Sequence, residues 1–186
     1  MIAVLRQAPN ILSGLRLVAA PIAAWLILNQ NDLPALCVFG FAGLSDAADG
    51  YLAKKFGLAS RFGAWLDPVA DKLLMLASFV SLTIVGAVPL WLTALVIGRD
   101  IAIVLGVLLA RALDMPLRVA PLMVGKISTV VQVLYIAFVL LVLTLNADWP
   151  MIELAGMAGV GLLAVLSGLA YAQLWLRAAI AWQRAV

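Results

Sequence analysis

Apolar residues run along the chain in six long stretches, at about 11–29, 33–53, 66–86, 89–113, 121–145 and 151–177, each broken from the next by polar residues, glycine or proline. Stretches of this length exceed the 4–8 residues of a buried strand and match the roughly 20 residues a helix needs to cross about 30 Å of hydrocarbon. Turn chemistry separates them: Asn29 to Asp32, Lys54 to Phe62, Gly86 to Pro89, Asp114 to Arg118 and Asn146 to Pro150. The pattern predicts an all-α polytopic membrane protein with six transmembrane helices. No repeat, low-complexity tract or linker interrupts it, so a single domain over 1–186 is expected. The first stretch follows a basic start without a small-residue cleavage site, which predicts a retained first helix, with 1–8 as a short interfacial segment before it.

Composition agrees with the pattern. Apolar residues make up 66% of the 186 and charged ones 11%, against roughly 45–50% and 25% in soluble domains. The charges also orient the chain. Arg6 and Arg16 belong to the N-terminal segment, and Lys54, Lys55, Arg61, Arg111, Arg118, Arg177 and Arg184 to alternate connections and the C-terminal tail, whereas the opposite connections hold Asp32, Asp148 and Glu153 and no Lys or Arg. By the positive-inside rule both termini are expected in the cytoplasm. Arg111, Arg118, Arg177 and Arg184 suit anchoring to anionic headgroups. A net charge of +3, spread in this way, gives no sign of a nucleic-acid partner.

Histidine is absent, which excludes imidazole bases, phosphohistidine intermediates and His-ligated metals. The single cysteine, Cys37, lies in an apolar run and is expected to be a small buried hydrophobe. Gly156, Gly159, Gly161, Ser167 and Gly168 in the last stretch suit close helix packing or a dimer face.

Carboxylates inside apolar helices cost a few kcal/mol each on insertion scales and usually mark function. Asp46 and Asp49 are three apart near the end of the second stretch, and Asp67 and Asp71 are four apart at the start of the third. Each pair therefore shares a helix face, and a connection of about nine residues brings the pairs together across a hairpin. Protonation or cations must relieve the repulsion among four carboxylates. Oxygen ligands without His or Cys favour magnesium or manganese, and two such ions suit displacement at phosphorus. The alternative is a set of helix-end residues paired with Lys54, Lys55, Arg61 and Lys72. A transporter is a further alternative, although it calls for charge near the bilayer midplane. Gly50 and Gly63 lie on the aspartate faces, where they serve either close approach of a ligand to the backbone or tight packing. Arg99, mid-stretch, must face an interior cavity, either in an ion pair with neighbouring elements, Asp100 through a third group among them, or holding an anion with Lys126 as a second cation.

The run Asp46-x2-Asp49-Gly50-x2-Ala53-Lys54-x8-Gly63-x3-Asp67-x3-Asp71 resembles the signature of the CDP-alcohol phosphatidyltransferases, with Lys54 where that family usually has arginine. The positive charge is kept and the two-pronged donor geometry is lost. Pro9 to Arg16 with Pro21, Leu66 to Lys72, Gly98 to Ile101 and Gly125 to Gln132 are similar to the family's phosphatidylglycerophosphate and CMP-forming cardiolipin synthase branches, and Arg99-Asp100, 121–132 and Ser167 to Tyr171 look more like the latter. The resemblance implies Asp46, Asp49, Asp67 and Asp71 as ligands of Mg2+ or Mn2+, with Asp71 also the catalytic base. It implies Asn10, Gly50, Lys54 and Gly63 around the CDP group, and Arg99 and Lys126 at the acceptor's phosphate. It further implies CDP-diacylglycerol as donor, phosphatidylglycerol as acceptor with glycerol 3-phosphate the alternative, a homodimer, and a site facing the cytoplasm from a bacterial inner membrane.

Overall fold

The computed structural model describes residues 2–56, 61–113 and 122–183, with side chains described over 14–45, 67–113, 122–180 and 182. Six helices account for nearly all of this: α1 (Ile2–Leu28), α2 (Asp32–Phe56), α3 (Arg61–Ile84), α4 (Leu90–Ala112), α5 (Met123–Leu145) and α6 (Pro150–Gln183). Among the described residues there is no strand. The six expected helices are present, and among the described residues three spans, in α4, α5 and most of α6, are long and apolar enough to cross a membrane. Their outward faces are apolar too: Leu90, Trp91, Val104, Leu105 and Leu108 of α4 are all more than half exposed, as a lipid-facing surface requires.

Three helix ends are built alike. Gln30, Gly86 and Asn146 have positive φ (57°, 82° and 46°) just past the ends of α1, α3 and α5. The next residue in each case, Asn31, Ala87 or Ala147, sends its N–H back to Leu26, Leu82 or Val142 at 2.9, 2.9 and 3.1 Å. Gln30, Gly86 and Asn146 themselves donate to Ile27, Thr83 and Leu143 at 2.9, 3.1 and 3.2 Å. This paired 6→1 and 5→2 pattern is the Schellman cap, which satisfies carbonyls that the helix leaves open. The turn residues marked in the sequence are the ones that carry it.

The chain divides into two compact units: Met1–Val88 with Ile136–Asp148, and Pro89–Tyr135 with Trp149–Val186. In the first, α1 packs against both α2 and α3. Its inward stripes repeat at three and four residues: Ala20, Ala23 and Ile27 on α1, Ala35, Phe39 and Ala42 on α2, and Ala70 and Leu74 on α3 are all buried. Alanine recurs on all three helices, and small residues let backbones approach where lipid offers no hydrophobic drive to associate. In the second unit α4 packs on α6, where Arg99 meets Ser167 and Tyr171; Leu92 and Val96 of α4 and Val160 and Ala164 of α6 are buried as well.

Two expectations change. Cys37 is exposed, not buried, because the outward face of α2 is itself apolar and holds a thiol as readily as the interior does. Residues 2–10 continue α1 without a break, so the segment expected to precede the first helix is part of it.

Candidate active site

Arg16 stands four residues before Ala20, on the inward stripe of α1, and is buried to 1% exposure. Asp67 and Asp71 occupy the matching face of α3, one turn apart, on the stripe that continues to Leu74. The register of the two helices therefore delivers a guanidinium to two carboxylates. Arg16 Nη2 donates to Asp67 Oδ1 at 3.1 Å and Arg16 Nη1 donates to Asp71 Oδ1. One planar cation thus holds one oxygen of each acid, and its fork geometry fixes their separation in a way that an ammonium cannot. Both carboxylates keep substantial exposure, 37% and 41%, while the cation is dry. Pro68, inside α3 beside Asp67, has no N–H to give the preceding turn.

Asp67 and Asp71 are hard oxygen donors on a single face, which fits magnesium or manganese in ligand type. Among the described residues no group of three His, Cys, Asp or Glu side chains gathers. Asp46, Asp49, Gly50 and Lys54 belong to α2, Gly63 to α3 and Asn10 to α1, but their side chains lie outside the described residues. On the α1–α2 face, Leu15, Arg16, Val18, Ala19, Ile22, Val38, Phe41, Ala42 and Ser45 line an apolar groove of about 180 Å³.

The second unit holds the other sequence-derived cation. Arg99 is 8% exposed. Its Nη1 donates to Asp100 Oδ1 at 2.6 Å, its Nε donates to Ser167 Oγ at 3.1 Å, and its Nη2 donates to the same hydroxyl. The Tyr171 ring lies under the guanidinium carbon at 6.0 Å, within cation–π range. The ion pair with Asp100 is direct. Lys126 is exposed on α5, one residue past the buried Gly125. A β-carbon built on Gly125 would stand 3.1 Å from Arg99 Nη2 and 3.2 Å from Tyr171 Oη, so glycine is what admits both groups.

The small residues of α6 serve packing in three of four glycine positions. A β-carbon on Gly156 would reach Tyr135 at 2.8 Å, one on Gly161 would touch Trp91 at 3.4 Å, and one on Gly168 would sit 3.9 Å from Arg99; Gly159 has open space beside it.

Sequence patterning assigned no site role to Arg16, Ser167 or Tyr171. Signals were present for each. Arg16 is a charge inside an apolar span, which demands a partner. Ser167 and Tyr171 are four apart on one helix face, where two hydroxyls can meet a single cation.

Comparison with known proteins converges on one family. The family model described as CDP-alcohol phosphatidyltransferase matches residues 6–183. The chain is 34% identical over 145 residues to a human protein named cardiolipin synthase (CMP-forming), covering 69% of this chain and 48% of that one. A Streptomyces coelicolor protein of the same name is 37% identical over 149 residues, covering 76% and 67%. A Mycobacterium tuberculosis protein named probable phosphatidylglycerophosphate synthase is 34% identical over 169 residues, covering 87% and 78%. The chain spans less than half the length of the human and rat relatives it matches. With the match running through all six helices, and Asp67 and Asp71 side by side where the signature has them, the chain belongs to the CDP-alcohol phosphatidyltransferase family.

Proposed function

We propose that this protein transfers the phosphatidyl group of CDP-diacylglycerol to a primary hydroxyl of phosphatidylglycerol, giving cardiolipin and CMP. The observation that carries the chemistry is the convergence of Asp67 and Asp71 on Arg16. Two acids four residues apart, held at one oxygen each, stay aligned on a common face. Asp46, Asp49, Asp67 and Asp71 would hold Mg2+ or Mn2+, two ions in all, which when bound neutralise the diphosphate and its leaving oxygen. Asp71 takes the proton of the acceptor hydroxyl as that oxygen bonds to the phosphorus bearing diacylglycerol, and the bond from this phosphorus to the CMP oxygen breaks. Asn10, Gly50, Lys54 and Gly63 are assigned to the CDP group. Arg99 and Lys126 are assigned to the acceptor's phosphate.

Similarity to proteins named cardiolipin synthase supports phosphatidylglycerol as acceptor. Glycerol 3-phosphate is the second reading, supported by the similar match to a probable phosphatidylglycerophosphate synthase. The charge pattern supports cytoplasmic termini and a site on that side of the membrane; a bacterial inner membrane, a single domain and a homodimer are assigned with the family resemblance. Purified protein given CDP-diacylglycerol with either acceptor decides the matter by lipid product. Cardiolipin and CMP are expected with phosphatidylglycerol. Phosphatidylglycerophosphate formed only from glycerol 3-phosphate would overturn the acceptor, and no CMP with either would overturn the transfer.

A further inference from the structure

Arg99 is held in a way that leaves part of it over. A guanidinium has five N–H donors in a rigid fork. Nε and Nη2 each spend one on the Ser167 hydroxyl, and Nη1 spends one on Asp100. Two N–H groups, one on each terminal nitrogen, remain without a partner among the described residues. One donor left on each terminal nitrogen is what a two-pronged contact to two oxygens of a phosphate requires. The side chains fixing the rest are themselves fixed. Ser167 is fully buried and Tyr171 nearly so, and they stand one turn apart on α6. The Tyr171 hydroxyl also accepts the N–H of Leu122 at 3.3 Å, which ties the start of α5, and with it Gly125 and Lys126, to the face of α6 that grips Arg99.

We propose that Ser167 and Tyr171 are positioning residues that aim the two-pronged edge of Arg99 at the phosphate of the acceptor. This rests on the assignment of Arg99 to that phosphate. Ser167 sets the rotation of the guanidinium about its own axis, because it grips the Nε–Nη2 edge. Tyr171 sets its plane by lying under it, and carries the neighbouring Lys126 into place through Leu122. Asp100 offsets the cation, so a buried arginine stays affordable in the resting protein and the phosphate meets a directed pair of donors.

The test is steady-state kinetics in mixed micelles, varying phosphatidylglycerol and CDP-diacylglycerol independently, with glycerol 3-phosphate run in parallel. Ser167→Ala is expected to raise KM for the acceptor about tenfold, the scale of one lost hydrogen bond to a charged group. Its kcat should change far less, and KM for CDP-diacylglycerol should hold. Ser167→Thr, which keeps the hydroxyl, should restore most of the loss. Tyr171→Phe should give a smaller rise in acceptor KM, since the ring remains and only the tie to Leu122 is cut. On an Arg99→Lys background, where no fork exists to aim, Ser167→Ala should add little. A merely structural role for Ser167 would weaken both substrates alike, or add fully to Arg99→Lys, and either result overturns the proposal. If Arg99→Ala raises acceptor KM strongly while Ser167→Ala does nothing, the positioning role falls and the acceptor site stands. If neither change moves acceptor KM, the assignment of Arg99 falls with it.

Discussion

Replacing Arg16 with methionine keeps the length of the side chain on the inward stripe of α1 and removes its charge. Deleting one partner of a fully buried ion pair costs about 3–5 kcal/mol, whereas exposed pairs are worth about 0.2–1 kcal/mol. The present case lies between, because Arg16 is 1% exposed while the carboxylates of Asp67 and Asp71 keep 37% and 41%. Water at the acids screens part of the loss, which sets the expected penalty at about 2 kcal/mol. For a chain of this size that is a fall in Tm of about 4–8 °C. Thermal unfolding of the detergent-solubilised protein measures it. Arg16→Lys should fall between methionine and wild type, since one ammonium cannot grip both Oδ1 atoms in the same plane. The penalty should shrink when Asp67 and Asp71 are both asparagine, as the charges of these two pairs are then gone. An Arg16→Met protein that melts with wild type would refute the pairing. An undiminished penalty in the asparagine background would show that the loss does not come from the pairs with Asp67 and Asp71.

Other outcomes follow from the same geometry. Asp71→Asn should reduce transfer in membrane preparations by at least the roughly 100-fold typical of a lost general base, and full activity would refute the base assignment. Chelation of divalent cations should abolish transfer, with Mg2+ or Mn2+ restoring it; activity in excess chelator would remove the metals from the scheme. Gly125→Ala should raise acceptor KM without a comparable change for the donor, because its methyl must push Arg99 Nη2 or Tyr171 Oη aside from 3.1 and 3.2 Å. Gln30→Gly should raise Tm by about 2–4 °C, since a left-handed φ of 57° costs a side-chain-bearing residue about 1 kcal/mol that glycine escapes; a lower Tm would show that the Gln30 side chain matters more than its backbone.

Hydropathy located the helices but not their polar ends. The third stretch was expected from residue 66, and α3 begins at Arg61; the sixth was expected to stop at 177, and α6 runs to Gln183. Apolarity marks where a helix is in hydrocarbon, while the backbone hydrogen bonds that define it continue into polar residues. The turns were legible because glycine and asparagine tolerate positive φ, and Gly86 and Asn146 sit where that was needed. Among site residues, Asp67 and Asp71 could be paired from spacing alone, since both lie on one helix. Arg16 could not be matched to them, because the register between α1 and α3 depends on how Ala20, Ala23 and Ala70 pack, and that is a property of two helices together. Ser167 was legible as a small residue and became a hydrogen-bond acceptor only when α4 was laid against α6.

The order in which the paired charges leave the ribosome has a consequence for biogenesis. Arg16 belongs to α1 and its two acids to α3, so the cation is synthesised before the acids it pairs with. On translocon scales an aspartate at the centre of a nascent helix opposes insertion by about 2.5–3.5 kcal/mol, and less toward its end. A waiting guanidinium offsets that cost at the moment it arises. A chain begun from a start codon downstream of Arg16 would still carry every acid of the signature, yet would have to integrate them without that counter-ion.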